Sequence, residues 1–282
     1  RCNLFAGCGV GGTVGAGTDK NIAMGFVVGC AMDGAVGNIM MGCYVATSSN
    51  FSGNYNIALG RRSGTNLTTG HSNILLGNSS GCKLTTGFRN IHIGETNFGE
   101  STEADYNIGI GFENANLCDV SGNQNVMIGQ QNARRVTSGC CNTIIGQCNA
   151  DYLSTANCNV LIGKKIVASG VFTGKDNVFL GQYAASIATS ASCNVMLGYC
   201  AGKNLTTGSC NIVIGNKAMA CCTVTSNKNI VIGCLAGRNI SSGGENIIIG
   251  GNAGSGHSTG MGNIAIGDGA GSGNPEGHSF QV

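Results

Sequence analysis

Asn246-Ile247-Ile248-Ile249-Gly250 is one copy of a five-residue word, Asn, aliphatic, any residue, aliphatic, Gly, that recurs along the whole chain. The word begins at Asn3, Asn21, Asn38, Asn56, Asn73, Asn90, Asn107, Asn125, Asn142, Asn159, Asn177, Asn194, Asn211, Asn229, Asn246 and Asn263, sixteen copies, each seventeen or eighteen positions after the last. A fixed short period over an entire chain is the signature of a stacked repeat and outranks any local propensity. With 282 residues the chain has the length of one or two globular domains, but a single solenoid absorbs that length as readily.

With each Asn as position zero, position one is Leu4 and then Ile or Val, apart from Thr143, and position three is Ile, Leu or Met after Ala6. Side chains alternate along a strand, so positions one and three share a face. The β-branched residues favour a strand. The Gly at position four ends it at a bend where positive φ or close backbone approach costs Gly little. A helix fails because the apolar word is too short and meets Gly at once.

Position two is also apolar, with His92 its one polar residue. Both faces of the strand are then apolar, the pattern of a strand buried on both sides. Stacked coil on coil, position two forms a long apolar stripe, too large to leave in water. The sequence therefore predicts that Phe5, Met40, Leu75, His92, Met127, Ile144, Leu161, Phe179, Met196, Val213, Val231 and Ile248 form the interface of an oligomer. Three-fold packing is the expected closure, and the stripe is also compatible with two-fold packing.

The rest of each coil is a return path. Position seven is small or polar, position eight is usually Gly or Ala, and a second apolar residue follows near position eleven, as at Leu67, Leu84, Val136, Leu153, Leu205 and Ile240. Thr, Ser and Gly come next, as in Leu67-Thr68-Thr69-Gly70, which reads as a second short strand ending in a turn. The longer coils place their extra residue in the turns, so the register of the word is kept. Seventeen residues at about 3.3 Å give a coil perimeter near ~56 Å, and coils stacked at about 4.8 Å predict a rod of roughly 75 Å. The expected architecture is all-β, a trimeric parallel β-solenoid (β-roll or β-helix) of about sixteen 17–18-residue coils over residues 1–273. Residues 274–282 hold the sole Pro, break the pattern, and read as a C-terminal cap or an exit into another domain.

Composition excludes several classes. With 42% hydrophobic residues and a net charge of +2, the chain is neither disordered nor equipped with an electrostatic footprint for nucleic acid. Arg61-Arg62, Arg134-Arg135 and Lys164-Lys165 read as isolated, solvated turn pairs. No apolar run is long enough to insert in a membrane. The chain opens on Arg1-Cys2-Asn3, already inside a repeat, which reads as part of something longer.

The word Asn-Ile-x-Ile-Gly, with a following Ala-Gly-x-Asn-Leu-Thr-Thr-Gly such as Ala201–Gly208, resembles two groups. One is the repeat arrays of viral and phage tail or receptor-binding fibres, and the other is the head repeats of trimeric autotransporter adhesins. The resemblance covers essentially the whole chain and implies a homotrimeric extracellular or virion-surface fibre that presents a receptor-binding region. The adhesin-head repeat is shorter, and the 16 Cys of this chain are unusual for either group.

The polar features divide into structural and chemical readings. The Asn at position zero, Asn21, Asn38, Asn56, Asn73, Asn90, Asn107, Asn125, Asn142, Asn159, Asn177, Asn194, Asn211, Asn229, Asn246 and Asn263, reads as a structural amide ladder. Cys141 and Cys158, like Cys193 and Cys210, sit at equivalent places in neighbouring coils, about 4.8 Å apart. In-register side chains reach a disulfide torsion poorly, so mostly buried, free thiols are expected, with a few bridges as the alternative. His92 in the stripe reads as a packed interface histidine rather than an axial ion ligand. Glu95, Glu100, Glu103 and Asp105 supply carboxylates for a polysaccharide-degrading site, but they fall in one short segment, so the chain reads as a non-enzyme with no cofactor and no metal. The Thr-Thr pairs recur in too few coils for an ice-binding array. Sequons at Asn50, Asn66, Asn78, Asn204 and Asn239 matter only on a eukaryotic secretory route. The alternative function is an adhesin or glycan-binding module, with Tyr44, Phe51, Tyr55, Phe98 and Tyr106 on its outer turns.

Overall fold

The computed structural model describes residues 2–273 and the backbone of 280–281, so residues 274–279 and 282 of the expected cap lie outside the described residues. The chain divides into two compact units, Arg1–Cys141 and Asn142–Val282. Each unit is a parallel β-solenoid, and its main strands are the repeated word.

In the first unit the strands are Leu4–Cys8, Ile22–Val28, Ile39–Val45, Ile57–Arg61, Ile74–Leu76, Ile91–Glu95, Ile108–Phe112 and Val126–Gln130. Each pairs in parallel with the next in strict repeat register, for example Ile57 with Ile74, Ala58 with Leu75 and Leu59 with Leu76. The second unit repeats this from Thr143–Gln147 to Ile264–Ile266, with Ile212, Val213 and Ile214 opposite Ile230, Val231 and Ile232. Phe280–Gln281 adds a last rung on Ile264 and Ala265, so this piece of the tail continues the ladder.

Position four requires Gly twice over. Gly77 has φ +127°, and a Cβ there would lie 2.1 Å from the carbonyl oxygen of Gly94 in the next coil. Three further corners per coil use left-handed backbone, at Gly in some coils and at ordinary residues in others, such as Cys193, Lys217 and Met219 with φ of 58°, 51° and 50°. These lie immediately before the Asn and at positions six and eight, and they fold each coil back onto itself.

The second inner residue obeys a rule tied to coil length. In the shorter coils it is at position eleven, as in Met32, Leu153 and Leu205. In the longer coils it moves to position thirteen, as in Phe51, Phe172 and Val224. The two settings are still opposite one another, Met32 with Phe51, Leu153 with Phe172 and Leu205 with Val224. The extra residue therefore lengthens the turn after position eight and leaves the core in register.

Candidate functional site

The Asn side chains are the most fully bonded feature of both units. In the first, Nδ2 of Asn21, Asn38, Asn56, Asn73, Asn90 and Asn125 donates to Oδ1 of the Asn one coil earlier at 2.9–3.1 Å. In the second, Asn159, Asn177, Asn194, Asn211, Asn229, Asn246 and Asn263 do the same at 2.9–3.1 Å. The other Nδ2 hydrogen reaches across the same coil, as from Asn73 to the carbonyl of Gly87 at 2.8 Å. Each amide thus ties one coil to its neighbour and closes its own coil at the turn. All lie wholly buried from Asn21 onward, where an unmet amide is costly.

The structure reverses the assignment of the two strand faces. Met40, Leu75, His92, Met127, Ile144, Leu161, Phe179, Met196, Val213, Val231 and Ile248 are buried inside the single chain, and Phe5 is half-buried at the first rung. They fill the coil interior and cannot be an oligomer interface. The return path closes over position two, and position eight is small in most coils to admit it, Val167 and Met219 being larger. A Cβ on Gly202 would lie 2.5 Å from Sδ of Met196, and one on Gly254 would lie 2.6 Å from Cδ1 of Ile248. Positions one and three face outward instead. Ile22, Ile39, Met41, Leu197, Ile212 and Ile266 are 36–42% exposed, Leu4 and Ala6 of the first coil are exposed, and the equivalent residues of the other coils are half-buried. An aliphatic sheet face therefore runs along each unit.

The largest departure is an exchange of bulk. Position eight of the sixth coil is Phe98, and position two of the next is Gly109, where a Cβ would meet the Phe98 ring at 2.8 Å. Phe98 stacks on His92 with ring centroids 4.5 Å apart and planes 4° apart. Neither ring nitrogen of His92 has a hydrogen-bond partner, and burial pushes its pKa down to about 3. The axial-ion reading of His92 fails because the ring lies inside the coil.

Position seven carries a second amide ladder. At position seven, Nδ2 of Asn114 donates to Oδ1 of Asn97 at 3.0 Å, and Asn132 N donates to Oδ1 of Asn114 at 3.1 Å. Four consecutive coils carrying Asn at this position, Asn97 to Asn149, were the available signal.

The remaining candidates are scattered. Of the Cys, only Cys200 is buried, while eight are exposed and seven half-buried. The expectation of buried thiols is thus corrected: aliphatic residues, Ala and Asn occupy most of the interior, and most Cys fall at the turns, with Cys8 and Cys43 in strands. Cys193 and Cys210 are exposed and unbridged. Reductant is therefore expected to leave the thermal midpoint within about 1 °C, whereas loss of a bridge of typical worth, about 2–4 kcal/mol, would move it by several degrees. The carboxylates do not converge: Asp105 accepts from Phe88 N at 2.9 Å, Glu95 from Asn78 Nδ2 at 3.2 Å, and Glu100 faces Lys83 at 3.9 Å. Among the described residues no three His, Cys, Asp or Glu side chains group as metal ligands, and no helix is long and apolar enough to cross a membrane. Of the aromatic candidates, Tyr44, Tyr55 and Tyr106 are exposed, but Phe51 and Phe98 are core residues.

These features define a parallel β-solenoid repeat protein, held by amide ladders and carrying an aliphatic face outside. No family model, curated protein or solved structure matches the chain.

Proposed function

We propose that the chain is a structural, self-assembling β-solenoid whose outward aliphatic face is the seam of a homotrimer, forming a stiff shaft on a virion or cell surface. The observation that carries this reading is the pair of outward-facing, partly exposed aliphatic rows at positions one and three. An outward aliphatic strip of several hundred Å² is the kind of patch that marks an interaction surface. Eight rungs at about 4.8 Å and a width near 10 Å give roughly 400 Å² per unit. A face of this size on each unit is a substantial share of the ~800 Å² per partner of a stable interface. A second copy is the partner with matching chemistry, because its rows carry the same spacing and no charge. Three flat faces turned to a common axis close the assembly and leave the polar turns outside. The reading assigns the chain mechanical work rather than catalysis.

Light scattering tests it. The expected mass is three times the chain's 28.4 kDa, unchanged by reductant. The double substitution Ile39→Lys and Ile212→Lys places charge on the outward face, and is expected to give a folded monomer with the circular dichroism of the parent. A monomeric or dimeric parent overturns the trimer, and a trimeric variant overturns the seam.

A further inference from the structure

We propose that the corner of the coil formed by positions six, nine and ten binds an acidic polysaccharide, a chain of sugars bearing carboxylate or sulfate groups. The first observation is a segregation of charge. Of the 15 Lys and Arg, eight fall at these three positions, against three of the 13 acids. In the first unit these are Arg62, Lys83, Arg134 and Arg135, opposed by Glu100 and Glu113. In the second they are Lys165, Lys203, Lys217 and Arg238, opposed by Asp151. The corner carries +5 while the whole chain carries +2, so the remaining positions are net negative.

The second observation is that each unit has a cleft at this corner. In the first, a cavity of about 310 Å³ lies between Tyr44, Thr47, Arg62, Asn66 and Lys83. In the second, one of about 210 Å³ lies between Lys217, Ala220, Leu235 and Arg238. Both begin at a longer coil, those of Asn38 and Asn211, where the extended turn re-enters the core two positions late. Two basic residues from successive coils line each cleft. Arg62, Lys217 and Arg238 have no ion pair among the described residues, and the Lys83–Glu100 pair is long, 3.9 Å, and half-exposed, worth little against a bound anion.

The third observation is an aromatic ring beside the cations. Tyr44 lines the first cleft and is braced edge-on by Phe26, with centroids 5.5 Å apart. On the same corner of the second unit, Lys165 Nζ and Lys203 Nζ each lie 6.0 Å from the ring centroid of Tyr183. A phenol ring offers a stacking face to the C–H side of a sugar. The guanidinium and ammonium groups take its carboxylate or sulfate. The volumes suit one sugar unit at a time. Duplex nucleic acid fits less well: its phosphates need cations spread across a wide face, and in each unit they sit at one corner beside a net-negative remainder.

The test is binding of the full chain to a heparin-derived octasaccharide and an oligogalacturonate, with a dextran oligomer and a DNA duplex as competing probes. Saturable binding to at least one acidic oligosaccharide and none to dextran is expected, weakening as salt rises. Arg62→Ala, Lys83→Ala, Lys217→Ala and Arg238→Ala together are expected to lower affinity about fivefold or more, the loss of two exposed charge contacts at each cleft. The same loss of charge elsewhere, Lys20→Ala, Arg89→Ala, Lys175→Ala and Lys228→Ala, is expected to leave affinity within about twofold, since those side chains lie off the corner. Melting curves show both variants folded. The proposal is overturned by an unaffected corner variant, by equal losses in both variants, by no binding to either acidic probe, or by preference for DNA. Each readout is independent of trimer formation, because the corner is not part of the aliphatic face.

Discussion

Asn73→Ala is expected to lower the unfolding free energy by about 2–5 kcal/mol, among the largest effects of any single change. Asn73 Oδ1 accepts from both the backbone N and Nδ2 of Asn90, at 2.9 and 3.0 Å, and its Nδ2 donates to Gly87 O at 2.8 Å. Truncation strands the Asn90 N–H and the Gly87 carbonyl in a buried setting, each worth about 1–3 kcal/mol. The cavity left by the amide adds to this. Asn73→Asp is expected to be worse at neutral pH. Its second oxygen replaces the donor and faces two acceptors, Asn56 Oδ1 and Gly87 O, which lie 3.0 and 2.8 Å from the native nitrogen. A buried, unpaired carboxylate is strongly disfavoured. Urea denaturation followed by circular dichroism measures both, and a loss under about 1 kcal/mol for Asn73→Ala would show that the ladder is ornamental to stability.

The second large effect concerns His92 and pH. Its pKa is about 3 in the folded chain because burial disfavours the imidazolium, against about 6.5 in an unfolded one. Above pH 6.5 the ring is neutral in both states and the pH dependence vanishes. Below it, the unfolded state takes a proton that the folded state refuses, so stability falls by about 1.4 kcal/mol per pH unit until pH approaches 3. Between pH 6.5 and 4 the loss is roughly 3 kcal/mol. His257 shifts in the same direction for the same reason and remains in a His92→Leu variant. The readout is therefore the difference between parent and variant, which cancels His257 and the carboxylates. At pH 7 the variant is expected to be more stable by about 1 kcal/mol. Removing two unpartnered ring nitrogens gains about 1–3 kcal/mol, and losing the stack on Phe98 costs about 0.5–1.5 kcal/mol. Parallel stability profiles of parent and variant from pH 7 to 4 would refute the argument.

The sequence by itself determined the backbone. A word that returns at a near-constant interval places like residues opposite like residues, and only a parallel stack of coils does that for Ile57 and Ile74 or for Asn56 and Asn73. The unvarying Gly at position four marked a bend that no side chain fits. The unvarying Asn marked a buried amide chain, because only a side chain with both donor and acceptor continues such a ladder in both directions. The tertiary structure alone decided which face of the strand is inside. Alternation identifies the core face when the other face is polar, and here Ile247, Ile248 and Ile249 are all apolar. The choice rests with the left-handed corners at positions six and eight, which carry the return path over position two and leave positions one and three to the outside. Charge followed the same logic. Arg62 and Lys83, more than a full coil apart in the chain, look like solvated turn residues until the coils are stacked. The stacking then places them in one cleft, because residues that share a corner of the coil become neighbours across the rungs.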